Sequence, residues 1–237
     1  MRARPFIVAI DGPAGAGKSS ASRLLAARLG FALVDTGAIY RVVALAASRR
    51  GIAFDDDARL GALLPALQIR FAPPATPGGG QQVLLGGEDV SQAIRTPPMS
   101  LGASAVSARP VVRDGLLELQ RRLALAPENR GAVMEGRDIG TVVFPNADLK
   151  IFLTAGEGQR AQRRFAELQQ KGDPSTLEQV REDQRRRDKN DSERAVAPPK
   201  PAPDARILDS SEMDLASVVE ELAREVETRP AAPGASR

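Results

Sequence analysis

Short uninterrupted apolar runs, each followed by polar residues, recur along the chain. Residues 6–10 end at Asp-Gly-Pro, and residues 31–34 end at Asp-Thr-Gly. Similar runs occupy residues 132–135, 149–153 and 207–209. Runs of this length and composition are typical of buried parallel strands. We therefore predict five strands that deliver polar residues at their carboxyl ends.

Apolar residues at helical spacing fill the segments between these runs. A helix predicted around residues 21–29 is followed by Gly30, which is a suitable helix end. Ser211 and Asp214 stand near the spacing of a capping box for the last predicted helix. We predict six further helices, over residues 38–50, 98–108, 111–125, 157–171, 176–187 and 213–226. Strands that alternate with helices predict an α/β fold with a parallel five-stranded sheet and helices on both faces.

The pattern changes between residues 67 and 90. Two strand-like runs, residues 67–71 and 82–85, flank a stretch rich in proline and glycine over residues 73–80. This arrangement predicts a small β-rich insertion in the parent α/β fold. The Pro/Ala/Gly/Ser composition of residues 229–237 predicts a disordered tail.

Composition excludes several kinds of chemistry. The 237 residues contain no Cys, His or Trp, which rules out disulfides, a thiol nucleophile, an ordinary zinc site and an imidazole proton shuttle. Catalysis must therefore use Asp, Glu, Lys, Arg, Ser, Thr and backbone amides. No apolar run approaches the roughly 20 residues of a membrane span, and the first residues lack the apolar core of a signal peptide. We expect a cytoplasmic protein with no membrane contact.

The charge pattern argues against bulk binding of nucleic acid. The 33 basic and 30 acidic residues are interleaved, so the net charge is only +3. Five of the basic residues are Lys and the rest are Arg, whose guanidinium suits bidentate contacts with phosphate or carboxylate. A GC-rich genome would explain the general excess of Arg equally well, so the positions of the arginines matter. We expect the Arg121-Arg122 pair to be exposed.

Residues 12–19, Gly-Pro-Ala-Gly-Ala-Gly-Lys-Ser, match the phosphate-loop pattern GxxxxGK[ST] between a predicted strand and a predicted helix. In this context backbone amides and the helix N-terminus converge on a phosphate group. Lys18 is expected to reach the β- and γ-phosphates, and the Ser19 hydroxyl to bind Mg²⁺. A glycine-rich turn that binds nothing is disfavoured, because it has no need of the Lys-Ser pair.

Residues 35–41, Asp-Thr-Gly-Ala-Ile-Tyr-Arg, end the second strand and open a helix. They direct backbone amides, a hydroxyl and a guanidinium at one place, which would suit a phosphoryl acceptor beside the phosphate loop. The alternative is that Thr36 is merely a helix N-cap and that Tyr40 and Arg41 form a surface turn.

Residues 136–140, Gly-Arg-Asp-Ile-Gly, follow the strand at residues 132–135. The carboxyl end of a parallel strand is where open α/β sheets bind ligands, so Arg137 and Asp138 are candidate ligand contacts. The alternative is a tight turn with a local ion pair between Arg137 and Asp138.

Arginines are dense from residue 160 onward. Arg160, Arg163 and Arg164 share one helix face, and a second cluster runs from Arg181 to Arg194. A cationic flap that closes over phosphates would neutralise charge and exclude water during phosphoryl transfer. The alternative is a solvated helix face with acidic partners, which is usual for charge runs.

Five segments together resemble bacterial cytidylate kinases: AIDGPAGAGKSS, LVDTGAIYRVVAL, GEDVSQAIRT, EGRDIGTVVFPNADLKIFLTA and RRDKNDSERAVAP. The resemblance extends from residue 7 to about residue 222. It implies an ATP-binding core over residues 1–36, 130–160 and 195–228. It further implies a CMP-binding domain over residues 37–129, which contains the insertion at about residues 67–90, and a helical lid over residues 161–194.

The resemblance also implies roles for individual residues. ATP would be bound by Gly12, Pro13, Ala14, Gly15, Ala16, Gly17, Lys18, Ser19, Ser20, Arg160 and Arg164. The CMP phosphate would be bound by Thr36, Tyr40, Arg41, Arg137 and Arg194, the cytosine by Ser104, Arg113 and Asp138, and the sugar by Arg187 and Asp191. The catalytic residues would be Lys18, Arg137, Arg187 and Arg194. Mg²⁺ would contact Ser19, and a contact through water from Asp35 or Glu135 stays open.

The implied activity is ATP-dependent phosphorylation of CMP and dCMP. The acceptor phosphate is already ionised at neutral pH, so the reaction needs no general base, in agreement with a chain that lacks His. One alternative is a phosphate-loop kinase of another small acceptor, such as UMP, AMP or shikimate. Another is a nucleotide-dependent binding or regulatory protein that acts through conformational switching or through contact with nucleic acid. We expect a monomer, since the sequence shows no hydrophobic surface that demands a partner.

Overall fold

The computed structural model describes residues 4–73, 80–170, 172–193 and 198–229. Within them the strands are β1 (Phe6–Asp11), β2 (Ala32–Asp35), β3 (Ile69–Ala72), β4 (Gln82–Leu85), β5 (Glu88–Asp89), β6 (Gly131–Glu135), β7 (Leu149–Thr154) and β8 (Arg206–Asp209). The α-helices are α1 (Lys18–Leu29), α2 (Thr36–Arg49), α3 (Asp57–Leu63), α4 (Pro97–Ser107), α5 (Pro110–Ala124), α6 (Glu157–Gln170), α7 (Leu177–Ser192) and α8 (Leu215–Glu227).

A parallel five-stranded sheet of order β2-β6-β1-β7-β8, with helices on both faces, confirms the predicted fold class. Its central strand, β1, pairs Val8 with Val133 of β6 and with Leu149 of β7. All three side chains are fully buried, because strands covered on both faces have no solvent side. The carboxyl ends of the strands meet at one edge, where β1 and β6 end in Asp11 and Glu135.

Helices α1 and α8 pack together on this sheet. Leu25 of α1 and Leu222 of α8 join Val8 and Val133 in one apolar cluster. Each fully buried aliphatic side chain of this kind contributes roughly 1.5–3 kcal/mol. Helix α1 ends where predicted, since Gly30 adopts the left-handed conformation at φ 64° that side chains rarely adopt.

The chain divides into two compact units, one of residues up to Val34 with those from Arg121 onward, and one of Asp35–Gln120. The second unit contains the antiparallel sheet β3-β4-β5, so the predicted β-rich insertion is present. Its third strand, β5, and helix α3 were not predicted. The proposed boundaries of the core, the CMP-binding domain and the lid remain predictions.

Three local expectations were wrong. Asp214, and not Ser211, caps α8: its side chain accepts from the Ser217 N–H at 2.7 Å, while the Ser211 N–H donates to Asp209. Of the Arg121-Arg122 pair, Arg122 is exposed as expected, but the Arg121 side chain is half-buried, because its Nε donates to the carbonyl of Val143 at 3.0 Å.

Helix α7 differs from its predicted end, since it continues past Arg187 to Ser192. It begins with a capping box between Thr176 and Gln179. Lys171, at the predicted end of the preceding helix, lies outside the described residues, as do residues 230–237 of the tail and residues 74–79 of the Pro/Gly-rich loop. None of the helices in the described ranges combines the length and apolar character that crossing a membrane requires.

Candidate active site

The phosphate loop links β1 to α1, as predicted. Gly12 has φ 145°, and a Cβ atom there would lie 2.0 Å from the carbonyl oxygen of Leu153 on β7. A side chain at this position would therefore collide with backbone, and only glycine lets the loop leave the sheet this way. The sequence pattern thus has its expected structural context.

Carbonyl groups of the loop are held by side chains. The Lys18 Nζ donates to the Pro13 carbonyl at 2.6 Å. The carbonyl of Ala14 accepts from Arg160 Nη1 at 3.0 Å and from Gln184 Nε2 at 3.1 Å. Helices α6 and α7, which carry Arg160 and Gln184, therefore contact the phosphate loop directly.

The Lys18 ammonium lies in a buried, charged environment. Burial lowers its pKa well below the ordinary value, and the charges of Arg137 and Arg187 lower it further, while Glu135 and Asp11 act in the opposite sense. The half-buried Arg137 and Arg187 repel the buried Lys18 ammonium, and an anion bound near them would relieve that repulsion. The electrostatics therefore favour a bound phosphate.

Ser19 and Glu135 form the part of the site that suits a metal ion. The Ser19 hydroxyl donates to Glu135 Oε2 at 2.8 Å, and such oxygen groups are the ligands that Mg²⁺ prefers. The carboxylate of Asp35 instead accepts from the Ala38 N–H at 2.8 Å and from Arg41 at 2.9 Å. Across the described part of the chain, no cluster of three or more acidic residues could hold a metal by itself. The donor set therefore fits an ion held mainly by a nucleotide and water.

Arg137 pairs with a residue far away in the sequence. Its Nε donates to Asp191 Oδ2 at 3.1 Å, and both side chains are largely buried. This long-range pair is not part of the alternative interpretation, which predicts a local pair between Arg137 and Asp138. The structure brings together Arg137 of the loop after β6 and Asp191 of α7, two residues that the resemblance assigns to the same ligand.

Asp11 fixes the segment that carries Arg137. Its two carboxylate oxygens accept from the N–H groups of Ile139, at 2.8 Å, and Gly140, at 2.7 Å. Burial raises the Asp11 pKa to about 6, although these hydrogen bonds act to lower it. Sequence analysis missed Asp11, even though a polar residue at the end of a buried strand was the signal that picked out Asp35.

In the unit of residues 35–120, Thr36 begins α2 and is buried. The cap is Asp35, so the alternative that Thr36 serves as the N-cap is wrong. The Arg41 side chain pairs with Asp35 across the first turn of the helix. The hydroxyl and the guanidinium therefore stand near the N-terminus of one helix, as the sequence predicts.

The same unit brings Tyr40 and Arg113 together. The Arg113 guanidinium carbon lies 5.9 Å from the centre of the Tyr40 ring, within the range of a cation–π contact. Arg113 also donates to the carbonyl of Ser107 at 3.2 Å. Ser104, half-buried, lies one turn before Ser107 on α4.

The arginines of α6 divide into two kinds. Arg160 is buried and pairs with Asp188 at 2.6 Å, in addition to holding Ala14. Arg163 donates to the carbonyl of Ser210 at 2.6 Å. Arg164 instead pairs with Glu167 in its own helix, as expected of a solvated charge run.

The predicted site residue Arg194 lies outside the described residues. The sequence analysis did not identify Gln184 as a site residue, because it stands inside a run of charged residues. The structure distinguishes it from that run, since its side chain is buried.

The comparisons with known proteins agree with these features. A family model described as "Cytidylate kinase" matches residues 8–228. The chain belongs to the cytidylate kinase family. A cytidylate kinase from Geobacter sulfurreducens is 49% identical over 233 residues, covering 98% of this chain and 97% of the relative. One from Pseudomonas aeruginosa is 48% identical over 221 residues, covering 93% of this chain and 95% of the relative.

The fold also has a counterpart among solved structures. An uncharacterised protein from Eubacterium ventriosum is 10% identical and has a TM-score of 0.50, covering 94% of this chain and 99% of its own. At this identity the similarity concerns the fold alone.

Proposed function

We propose that this chain transfers the γ-phosphoryl group of ATP to CMP and dCMP, giving ADP with CDP or dCDP. The observation that carries the proposal is the match of almost the whole chain to the cytidylate kinase family. The positive charges of Arg137 and Arg187 that act on the buried Lys18 support it, because phosphoryl transfer requires positive charge around the transferring group.

ATP is bound by the phosphate loop and the residues that follow it, Gly12 to Ser20. The Gly15 and Gly17 amides and the Lys18 ammonium face its phosphates in this proposal, and Arg164 of α6 approaches from the lid. Arg160 is also part of the ATP site. Its hydrogen bond to the Ala14 carbonyl supports a role in holding the phosphate loop in position.

The residues proposed to bind CMP are Thr36, Tyr40, Arg41, Ser104, Arg113, Arg137, Asp138, Arg187, Asp191 and Arg194. Arginine suits the acceptor phosphate by bidentate hydrogen bonding. A carboxylate such as Asp138 can accept from the exocyclic amino group of cytosine, which uracil lacks.

Catalysis by these residues consists of positioning and charge stabilisation. An ionised oxygen of the CMP phosphate attacks the γ-phosphorus in line, and the bond to the β–γ bridging oxygen breaks. Lys18, Arg137, Arg187 and Arg194 stabilise the negative charge of the transferring group. Bound with ATP, Mg²⁺ would neutralise charge on the β- and γ-phosphates. Ser19 would hold the ion, and its 2.8 Å contact with Glu135 favours Glu135 over Asp35 as the neighbour through water.

We further propose a monomer that works in the cytoplasm without nucleic acid. In the described ranges, large exposed apolar side chains lie on separate elements: Leu101, Leu125, Val142, Ile207 and Leu215. Light scattering at micromolar concentration checks the oligomeric state, and a salt titration with RNA checks nucleic-acid binding.

Tracing the label from γ-labelled ATP tests the proposed reaction. With CMP present, label is expected in CDP, and the Lys18→Ala variant should transfer very little. ATP binding without label transfer to any acceptor would contradict the proposal and favour a nucleotide-dependent regulatory protein.

A further inference from the structure

We propose that Gln184 of α7 is a positioning residue for the donor nucleotide. By holding the Ala14 carbonyl together with Arg160, it turns the N–H of Gly15 towards the place where the phosphates bind. The inference rests on the proposed use of ATP and adds to it a residue outside the phosphate-loop motif.

The geometry of one peptide group supports this role. The Ala14 carbonyl accepts from Gln184 Nε2 at 3.1 Å and from Arg160 Nη1 at 3.0 Å. In a trans peptide, the carbonyl of one residue and the N–H of the next point in opposite directions. Two donors that fix the Ala14 oxygen therefore also fix the direction of the Gly15 N–H.

Close packing at Gly15 holds this peptide further. Gly15 has φ 76°, and a Cβ atom there would lie 3.0 Å from the Arg160 carbonyl oxygen and 3.1 Å from Gln184 Nε2. Gln184 and Arg160 are 6% and 8% exposed, so little water competes for the Ala14 carbonyl. The loop amide is thus oriented before any phosphate arrives, which is how preorganised donors stabilise charge.

The other end of the Gln184 amide argues against a purely structural role. Among the described residues, its buried Oε1 has no hydrogen-bond partner. A buried acceptor without a donor lowers stability, whereas an apolar side chain of similar length avoids that cost. Arg160 alone would still satisfy the Ala14 carbonyl. Fold stability therefore does not explain the glutamine, but its hydrogen bond to the loop does.

The Gln184→Met variant tests the inference by calorimetric titration with ATP and Mg²⁺ in the absence of CMP. We expect the Kd for ATP to rise about three- to tenfold, as the loss of one hydrogen bond predicts. The Tm should stay the same or rise, and the KM for CMP should not change. Gln184→Glu should weaken ATP binding more, because a carboxylate would face the Ala14 oxygen. Glu182→Ala, at an exposed position of the same helix, is the matched control and should match the wild type.

Two results would overturn the inference. One is a Gln184→Met variant that binds ATP as tightly as the wild type. The other is a variant whose Tm falls and whose affinities for ATP and CMP weaken together, which would show a structural role. The first result depends on ATP binding alone, so a wild-type protein that binds ATP but does not phosphorylate CMP would overturn the proposed function and leave the comparison of ATP affinities intact.

Discussion

Asp11 and Gly140 are joined by a 2.7 Å hydrogen bond from the Gly140 N–H to Asp11 Oδ2. Asp11 immediately precedes the phosphate loop, and Gly140 closes the segment that carries Arg137 and Asp138. The other carboxylate oxygen accepts from Ile139. One buried side chain therefore sets the position of the Arg137 segment relative to the start of the phosphate loop.

Replacing Asp11 with Asn should disturb that arrangement. The amide oxygen of the new Asn can still accept one of the two hydrogen bonds. Its NH₂ group, however, would face the other backbone N–H and leave that N–H unpaired. We expect the free energy of unfolding to fall by about 1–3 kcal/mol and kcat to fall about tenfold or more. Chemical denaturation and steady-state kinetics measure the two effects. Asp183→Asn, at an exposed site, is the control, and equal kcat values for D11N and wild type would refute the positioning role.

The Asp11 carboxyl should also make stability depend on pH. Its folded-state pKa of about 6 lies above the ordinary aspartate value of 3.8, so between these values the folded state binds the proton that the unfolded state has lost. The Asp11 contribution to stability is therefore greatest at low pH and falls as the pH rises from about 4 to 6, by up to about 3 kcal/mol. Denaturation curves of wild type and D11N across this range isolate the contribution as their difference. A difference that does not vary with pH would contradict it.

Lys18 should be essential for the chemical step. Removing one preorganised group that stabilises charge typically raises the barrier by about 3–4 kcal/mol, so we expect Lys18→Ala to lose at least a hundredfold in kcat. Single-turnover measurements with saturating ATP separate this effect from weaker binding. Lys189→Ala, at an exposed position of α7, is the matched control. A Lys18→Ala variant with near-normal turnover would exclude the proposed role.

The ion pair between Arg137 and Asp191 should affect the acceptor more than the donor. Asp191→Asn keeps the shape of the side chain but removes the charge that holds Arg137 at 3.1 Å. We expect the KM for CMP to rise about tenfold to a hundredfold, since breaking one charge-assisted hydrogen bond costs about 1.5–3 kcal/mol. The KM for ATP should change little. Weakened binding of ATP with unchanged binding of CMP would contradict this prediction, because Asp191 would then act on the donor and not on the acceptor.

Much of the fold follows from local sequence patterns. The five strands of the central sheet are short apolar runs, and the ends of α1 and α6 are marked by Gly30 and Gly172, both in the left-handed conformation. Strand β5 escaped prediction because its two charged residues, Glu88 and Asp89, carry no apolar alternation. They pair with Leu85 and Leu84 of β4 in the antiparallel sheet.

The candidate site was predictable where its residues form local motifs. Lys18, Ser19, Thr36 and Arg137 lie in segments whose glycines and strand ends can be identified in the sequence. Gln184 could not be found this way, because its partner, Ala14, is 170 residues away and its burial depends on the packing of α7. Contacts of this kind depend on tertiary structure, which no local periodicity records.

Acceptor specificity tests the central claim most directly. ADP production would be measured with ATP and Mg²⁺ against CMP, dCMP, UMP, AMP, GMP and shikimate, each over a full concentration range. We predict that CMP and dCMP give the highest kcat/KM values. Preferential turnover of AMP, UMP or shikimate would contradict the assignment of Ser104, Arg113 and Asp138 to the cytosine ring, and no turnover with any acceptor would contradict the kinase activity itself.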